Sequence, residues 1–270
     1  MPRIALGIEY DGSSFAGWQS QEHACGVQSV VEKGLSVVAD HPVEVVAAGR
    51  TDAGVHAAMQ VVHFDTPAER TERSWMLGAV SNMPKTVSVL WAREVPEGFH
   101  ARYSAVARRY RYVILNRVPR PALNAERVAW IREPLDERRM HEAAQYLVGE
   151  HDFSSFRAAQ CQARTPMRNL HEIAVTRHGE LVVLTVCANA FLHHMVRNIA
   201  GVLMAIGTGE RPLDWTAQVL AYKDRKLGGV TAVPNGLYLA GIRYAPALNL
   251  PSEPEFSVLA PTEAGSSRVP

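Results

Sequence analysis

The residues best placed to do chemistry lie in GRTDAGVHA, residues 49–57. Asp52 stands in a loop holding Gly49 and Gly54, residues that accept backbone shapes others avoid. A carboxylate on such a turn can reach into a cleft, where loops on a rigid scaffold usually place function. Arg50 precedes it by two residues, so the two side chains share a face if the chain is extended. A guanidinium there would favour the ionised carboxylate that nucleophilic or basic chemistry needs. His56, four residues on, could also line the loop. Spacing alone leaves a second reading open, in which Asp52 bonds its own turn and any ion pair is incidental.

Three further segments carry candidate chemistry. Residues 99–120, FHARYSAVARRYRYVILNRVPR, hold Arg102, Arg108, Arg109, Arg111, Arg117 and Arg120 and no acid. In a strand, Arg109 and Arg111 face one way while Arg108, Tyr110 and Tyr112 face the other. Guanidinium groups bind phosphates and aromatic rings stack on splayed bases, so this pairing suits RNA; a solvated edge strand is the alternative. Residues 191–207, FLHHMVRNIAGVLMAIG, are apolar around most of a helix, which makes Arg197 anomalous. A buried guanidinium requires a partner, and Asp52 is the candidate to test. His193 and His194 as helix neighbours would point about 100° apart and chelate one ion poorly, so no metal site is expected and structural roles are. Residues 10–19, YDGSSFAGWQ, place Phe15 and Trp18 on a Gly-punctuated loop that could grip RNA or fold over a sheet.

These loops need elements to hold them. By period, Arg3–Tyr10 is a strand, 28–39 a helix, 43–48 and 60–64 strands, 73–80 a helix and Val87–Val95 a strand. The order β-α-β-β-α-β is a split βαβ, or ferredoxin-like, unit. The second half repeats it: strand 107–115, helix 136–148 capped by Asp136, a hairpin of 170–176 and Leu181–Ala188 around His178-Gly179, helices 191–206 and 214–222, and strand 236–244. The expected fold is α+β, with two such halves (1–100 and 101–245) forming one extended, mainly antiparallel sheet, helices on one side and a central cleft. The tail 246–270 is rich in Pro, Ser and Glu and is expected to be loose.

Bulk properties narrow the class. The 270 residues are 47% apolar and 20% charged, as in soluble globular domains. The net charge of +1 means that any nucleic-acid contact depends on local clustering. Cys25, Cys161 and Cys187 are odd in number and form no CxxC pair, which argues against a disulfide framework or zinc site and fits a reducing cytoplasm. No leader or charge-free run of 18 apolar residues is apparent, so no membrane role is expected. P-loop, GxGxxG and HExxH signatures are absent.

YDGxxxxGWQ, GRTDAGVHA, FHARxSAxARRYRY and FxHHMVRN, in this order, resemble the tRNA pseudouridine synthase A family from about Ile4 to Tyr244. The resemblance implies isomerisation of uridine to pseudouridine at positions 38, 39 and 40 of the tRNA anticodon stem-loop, by a cytoplasmic homodimer with tRNA across both subunits and no cofactor. By motif, it makes Asp52 the essential aspartate, Arg50 the arginine beside it, Tyr110 the ring that packs on the target base, and Arg197 the partner of the aspartate. Arg108, Arg109, Arg111 and Trp18 are further RNA-contact candidates. Gly228-Gly229 stands where the family more often has alanines, so a different flexibility before the last strand is expected. Two rivals remain: a tRNA-binding protein without chemistry, which has no use for an ion-paired Asp52, and a nucleoside hydrolase, which typically needs a second carboxylate.

Overall fold

The computed structural model describes residues 1–21, 23–252 and 254. Its elements in chain order are β1 (Arg3–Tyr10), α1 (Val27–Ala39), β2 (Val46–Ala47), β3 (His56–Asp65), α2 (Glu72–Ser81), β4 (Val87–Val95), β5 (Ala107–Asn116), β6 (Ala129–Ile131), α3 (Glu137–Ala144), β7 (Gly149–Asp152), β8 (Met167–His178), β9 (Leu181–Ala188), α4 (Met195–Gly207), α5 (Trp215–Tyr222) and β10 (Leu237–Arg243). The strands form one 10-stranded sheet with path β4-β1-β3-β10-β5-β9-β8-β7; β2 hangs on β3 and β6 on β5.

The duplicated α+β architecture is present. If each half's strands are numbered one to four, the first half orders them four, one, three (β4-β1-β3) with its second, β2, on the third; the second half orders them four, one, three, two (β10-β5-β9-β8). Pairing along the path within each half is antiparallel, the short β6 lies parallel to β5, and the halves join through a parallel contact, Tyr238 against His56 and Leu239 against Ala57. Helices cover each half over its own apolar core. The cores interlock: Leu239, Ile242 and Tyr244 pack into the first, Val55 into the second, and Tyr110 touches both.

Several boundaries differ from the sequence reading. The expected strand 43–48 is only Val46–Ala47, because β2 and β10 share one edge of β3: β2 takes His63 and Val62, β10 takes His56 and Ala57. β3 runs longer than 60–64 and begins at His56, inside the glycine-bounded motif. The helix expected over 136–148 is α3 followed by a 3-10 turn at Gln145–Leu147, with Asp136 capping as expected by accepting from the N–H groups of Arg138 and Arg139. β6 and β7 are short strands the periodicity did not reveal.

The largest difference is at 191–206, where α4 starts only at Met195. His194 adopts a left-handed conformation (φ 62°), so residues 191–194 form a turn into the helix. Gly228 and Gly229 are tightly packed: added Cβ atoms would lie 3.0 Å from the Ser155 carbonyl and 3.0 Å from Val202 Cγ2. The start of the expected loose tail folds back, with Ile242 N–H donating to the Ser252 carbonyl at 3.0 Å and Leu248 and Leu250 against the first core. Residue 253 and residues 255–270 lie outside the described residues. Among the described residues, no helix is long and apolar enough to cross a membrane.

Candidate active site

Asp52 occupies the connection between β2 and β3, and buried polar contacts fix that connection from both sides. Tyr10 Oη lies 2.8 Å from Thr51 Oγ1, Trp18 N–H donates to the Thr51 carbonyl at 3.0 Å, and Gln60 Nε2 donates to the Gly49 carbonyl at 2.6 Å. Gly54 has φ 77°, the left-handed turn that the motif's glycine suggested. The loop is therefore held by the first strand, the YDG segment and β3, and its carboxylate projects toward the second half.

The second half meets it with three basic side chains, two from the connection between β9 and α4 and one from the first turn of α4. Arg197 Nη1 donates to Asp52 Oδ2 at 3.2 Å. His193 Nε2 lies 3.2 Å from Oδ1 and His194 Nε2 lies 3.4 Å from Oδ2. Adjacent residues converge because they precede the helix; the left-handed His194 turns both rings to one point, with centroids 4.0 Å apart. The pair expected to be structural thus stands against the carboxylate. Burial holds the His194 imidazole below its ordinary range; the Asp52 charge opposes this, and His193, Arg197 and Arg225 reinforce it.

Arg197 is half-buried and firmly placed. Its Nε donates to the Ala232 carbonyl at 2.7 Å, while its own carbonyl accepts from Ala232 N–H at 3.2 Å. The neighbouring Asn198 is buried and ties three segments: it donates to the Phe156 carbonyl and accepts from Arg225 and Thr231. Cys161 Sγ accepts from His193 N–H at 3.4 Å, fastening the 157–166 loop to the site.

Tyr110 stands on β5 at the seam, edge-on to Phe191 with centroids 4.9 Å apart. Burial, and then the nearby Asp52 charge, push its hydroxyl pKa well up. That keeps the phenol neutral and suits a packing role better than a proton-abstracting one.

Other expected site residues lie elsewhere. Arg50 is exposed, and among the described residues the ion pairs of Asp52 run to His193, His194 and Arg197, not to Arg50. Trp18 is 2% exposed and packs on Tyr10, so its ring is core and unavailable to a base. The Arg108 guanidinium donates to the carbonyls of Ala48, Arg102, Ala105 and Asn189, which makes it a brace for the Asp52 loop. Arg109 pairs with Glu172 at 3.1 Å, and by strand alternation it and Arg111 lie on the sheet face opposite Tyr110. His56 is buried: its Nδ1 accepts from Gly12 N–H at 3.0 Å and its Nε2 bonds the carbonyls of Glu126 and Asn235.

The residues that sequence reasoning missed are His193 and His194 as neighbours of the carboxylate, and Asn198 and Arg225 as supports. For His193, His194 and Asn198 the available signal was polar character within an apolar helix pattern; Arg225 lies outside that pattern and carried none. A family model described as tRNA pseudouridine synthase matches residues 7–104 and 143–245. The chain belongs to that family. It is thus an isomerase that makes pseudouridine in tRNA. Similar curated proteins are named tRNA pseudouridine synthase A. That of Coxiella burnetii (strain RSA 331 / Henzerling II) is 59% identical across 94% of this chain and 97% of its own length. That of Methylococcus capsulatus is 58% identical across 95% of each. That of Pseudomonas aeruginosa is 58% identical across 92% and 88%. The family's members span both halves, which agrees with a site built from both.

Proposed function

We propose that this enzyme isomerises uridines 38, 39 and 40 of the tRNA anticodon stem-loop, with Asp52 as the catalytic nucleophile. The observation that carries the role of Asp52 is its carboxylate, offered by one half and gripped by Arg197 of the other at 3.2 Å, beside a tyrosine that touches both cores.

The target nucleotide leaves its stack, which costs a few kcal/mol. Tyr110 then supplies a surface in place of the lost neighbour. Asp52 acts on the ribose, the bond from N1 to C1′ breaks, the uracil turns, and C5 bonds to C1′. The C5 proton departs and N1 gains one, so the product is an isomer of the substrate. Arg197 holds the carboxylate as the anion that this chemistry needs. The same reading has the enzyme cytoplasmic and working as a homodimer, with tRNA across both subunits. Arg50, exposed on the catalytic loop, is a substrate contact in it, and Arg109 and Arg111 would serve tRNA only where it wraps onto the opposite sheet face.

The test is tritium release from C5-labelled uridine, using tRNAs that keep a single uridine at 38, 39 or 40. Asp52→Asn should slow release roughly a thousandfold or more. Wild-type turnover by Asp52→Asn would refute its role, labelled uridine elsewhere in tRNA reacting instead would refute the positions, and free uracil would favour a hydrolase.

A further inference from the structure

Asp52, His193 and His194 each offer a ligand atom, and these atoms all lie within 4.8 Å of one another. Two imidazoles and a carboxylate are the donor set of borderline divalent metals such as Zn²⁺, Co²⁺ or Ni²⁺, and not of Mg²⁺, which prefers all-oxygen surroundings. With metal–ligand bonds of about 2.0–2.1 Å, tetrahedral ligands stand roughly 3.3 Å apart. The carboxylate–imidazole separations are 3.2 Å from His193 to Oδ1 and 3.4 Å from His194 to Oδ2, so the two oxygens face one imidazole each. The left-handed backbone at His194 makes this possible, since helical neighbours would diverge.

The site is also reachable. The side chains of His193, His194 and Asp52 are 38%, 27% and 22% exposed, so an ion has a path in. Arg197 Nη1 contacts only Oδ2, so Oδ1 keeps a lone pair directed toward His193. The opposing influence is the Arg197 charge, which weakens any cation bound here.

We propose that the catalytic carboxylate and the His193–His194 turn form a borderline-metal site, at which Zn²⁺ or Co²⁺ binds in competition with tRNA and blocks the enzyme. Metal binding needs only the three ligands. The inhibition rests on the reading of Asp52 as nucleophile, because a carboxylate whose lone pairs are held by a metal cannot attack.

Calorimetric titration of the full chain with Zn²⁺, and visible absorption with Co²⁺, read binding without reference to activity. The expected result is a single site, abolished by saturating tRNA and unaffected by millimolar Mg²⁺. His194→Gln and, separately, His193→Gln should weaken it about tenfold or more. Cys161→Ser controls for the adjacent thiol, whose Sγ is 3.4 Å from His193 N, and should bind as wild type does. Unchanged affinity in both histidine variants, or loss of binding in Cys161→Ser, would overturn the proposal. Melting curves confirm that each variant is folded, and having two histidine variants keeps the test open if one is not. Full activity in Asp52→Asn would remove the catalytic reading while leaving metal binding by the histidines measurable, so the two failures are separable.

Discussion

The two halves share a strand order but treat the same two connections differently. In the first half the link between the second and third strands carries Asp52; in the second half that link is the β8–β9 hairpin around Gly179, at φ 61°. The link from third strand to helix shows the reverse. In the first half it ends at Thr71, which caps α2 conventionally by accepting from Ser74 N–H. In the second half it ends at His194, which makes no side-chain cap and turns its ring to Asp52. One repeat has given its hairpin loop to the acid, and the other has given its helix start to the bases. A duplicated scaffold thereby makes a site that neither copy contains alone, at the cost of a helix cap worth about 1 kcal/mol.

The comparison is broken most directly at the contact between halves. Arg197→Met removes the positive charge facing Asp52 while keeping an unbranched side chain in α4. A fall of roughly a hundredfold in kcat/KM, about 2.7 kcal/mol, is expected in single-turnover tritium release. A loss under threefold would show that the pairing does not matter to the reaction.

The equivalent helices offer a paired test of packing. A Cβ on Gly201 in α4 would stand 1.8 Å from the Val230 carbonyl oxygen, whereas one on Gly78 in α2 would meet the side chain of Val38 at 2.9 Å. Gly201→Ala should lower stability by about 2–3 kcal/mol and also slow the reaction, because the displaced segment carries Ala232, which grips Arg197. Gly78→Ala should be near neutral, since Val38 can yield and alanine favours the helix. Denaturant melts and rates of the two variants check this contrast.

A smaller effect separates the cores. His63 is buried in the first half, where its Nδ1 accepts from Ala101 N–H; burial first, then Arg3 and His100, pull its pKa down to about 4. The unfolded chain, with an ordinary histidine value near 6.5, takes up this proton first as pH falls. The stability tied to His63 is therefore complete above pH ~6.5 and is lost as pH falls toward about 4, a change of about 2 kcal/mol. The difference between wild type and His63→Gln in urea melts at pH 7 and 4.5 isolates it; parallel slopes would disprove it. The smallest expected change is Thr71→Ala, a loss of about 1 kcal/mol in stability with turnover unchanged, since that cap serves no site.

Much of this was legible in the chain. The β-α-β-β-α-β period marked both halves because strands and helices impose different apolar spacings, and Asp136 announced its helix by chemistry that acts within three residues. The glycine-bounded Asp52 and the half-buried Arg197 were visible as local anomalies. The expected pairing of Arg50 with Asp52 and the expected exposure of Trp18 misled for a common reason: adjacency in sequence does not say which way a side chain points. Arg50 turns to solvent, and Trp18 turns into the core against Tyr10. Arg108 looked like a phosphate ligand because a guanidinium's five donors suit carbonyls as well as phosphates, and only the fold supplied the carbonyls.

The sequence by itself determined the duplicated elements and the family, and singled out Asp52 as a candidate, all of which follow from local periodicity and contiguous motifs. The tertiary structure alone decided that β10 would take the edge of β3 and shorten β2, that His193 and His194 would stand outside α4, and that both would meet Asp52. Those outcomes turn on competition for one strand edge and on a single left-handed residue, energies that depend on partners more than a hundred residues away.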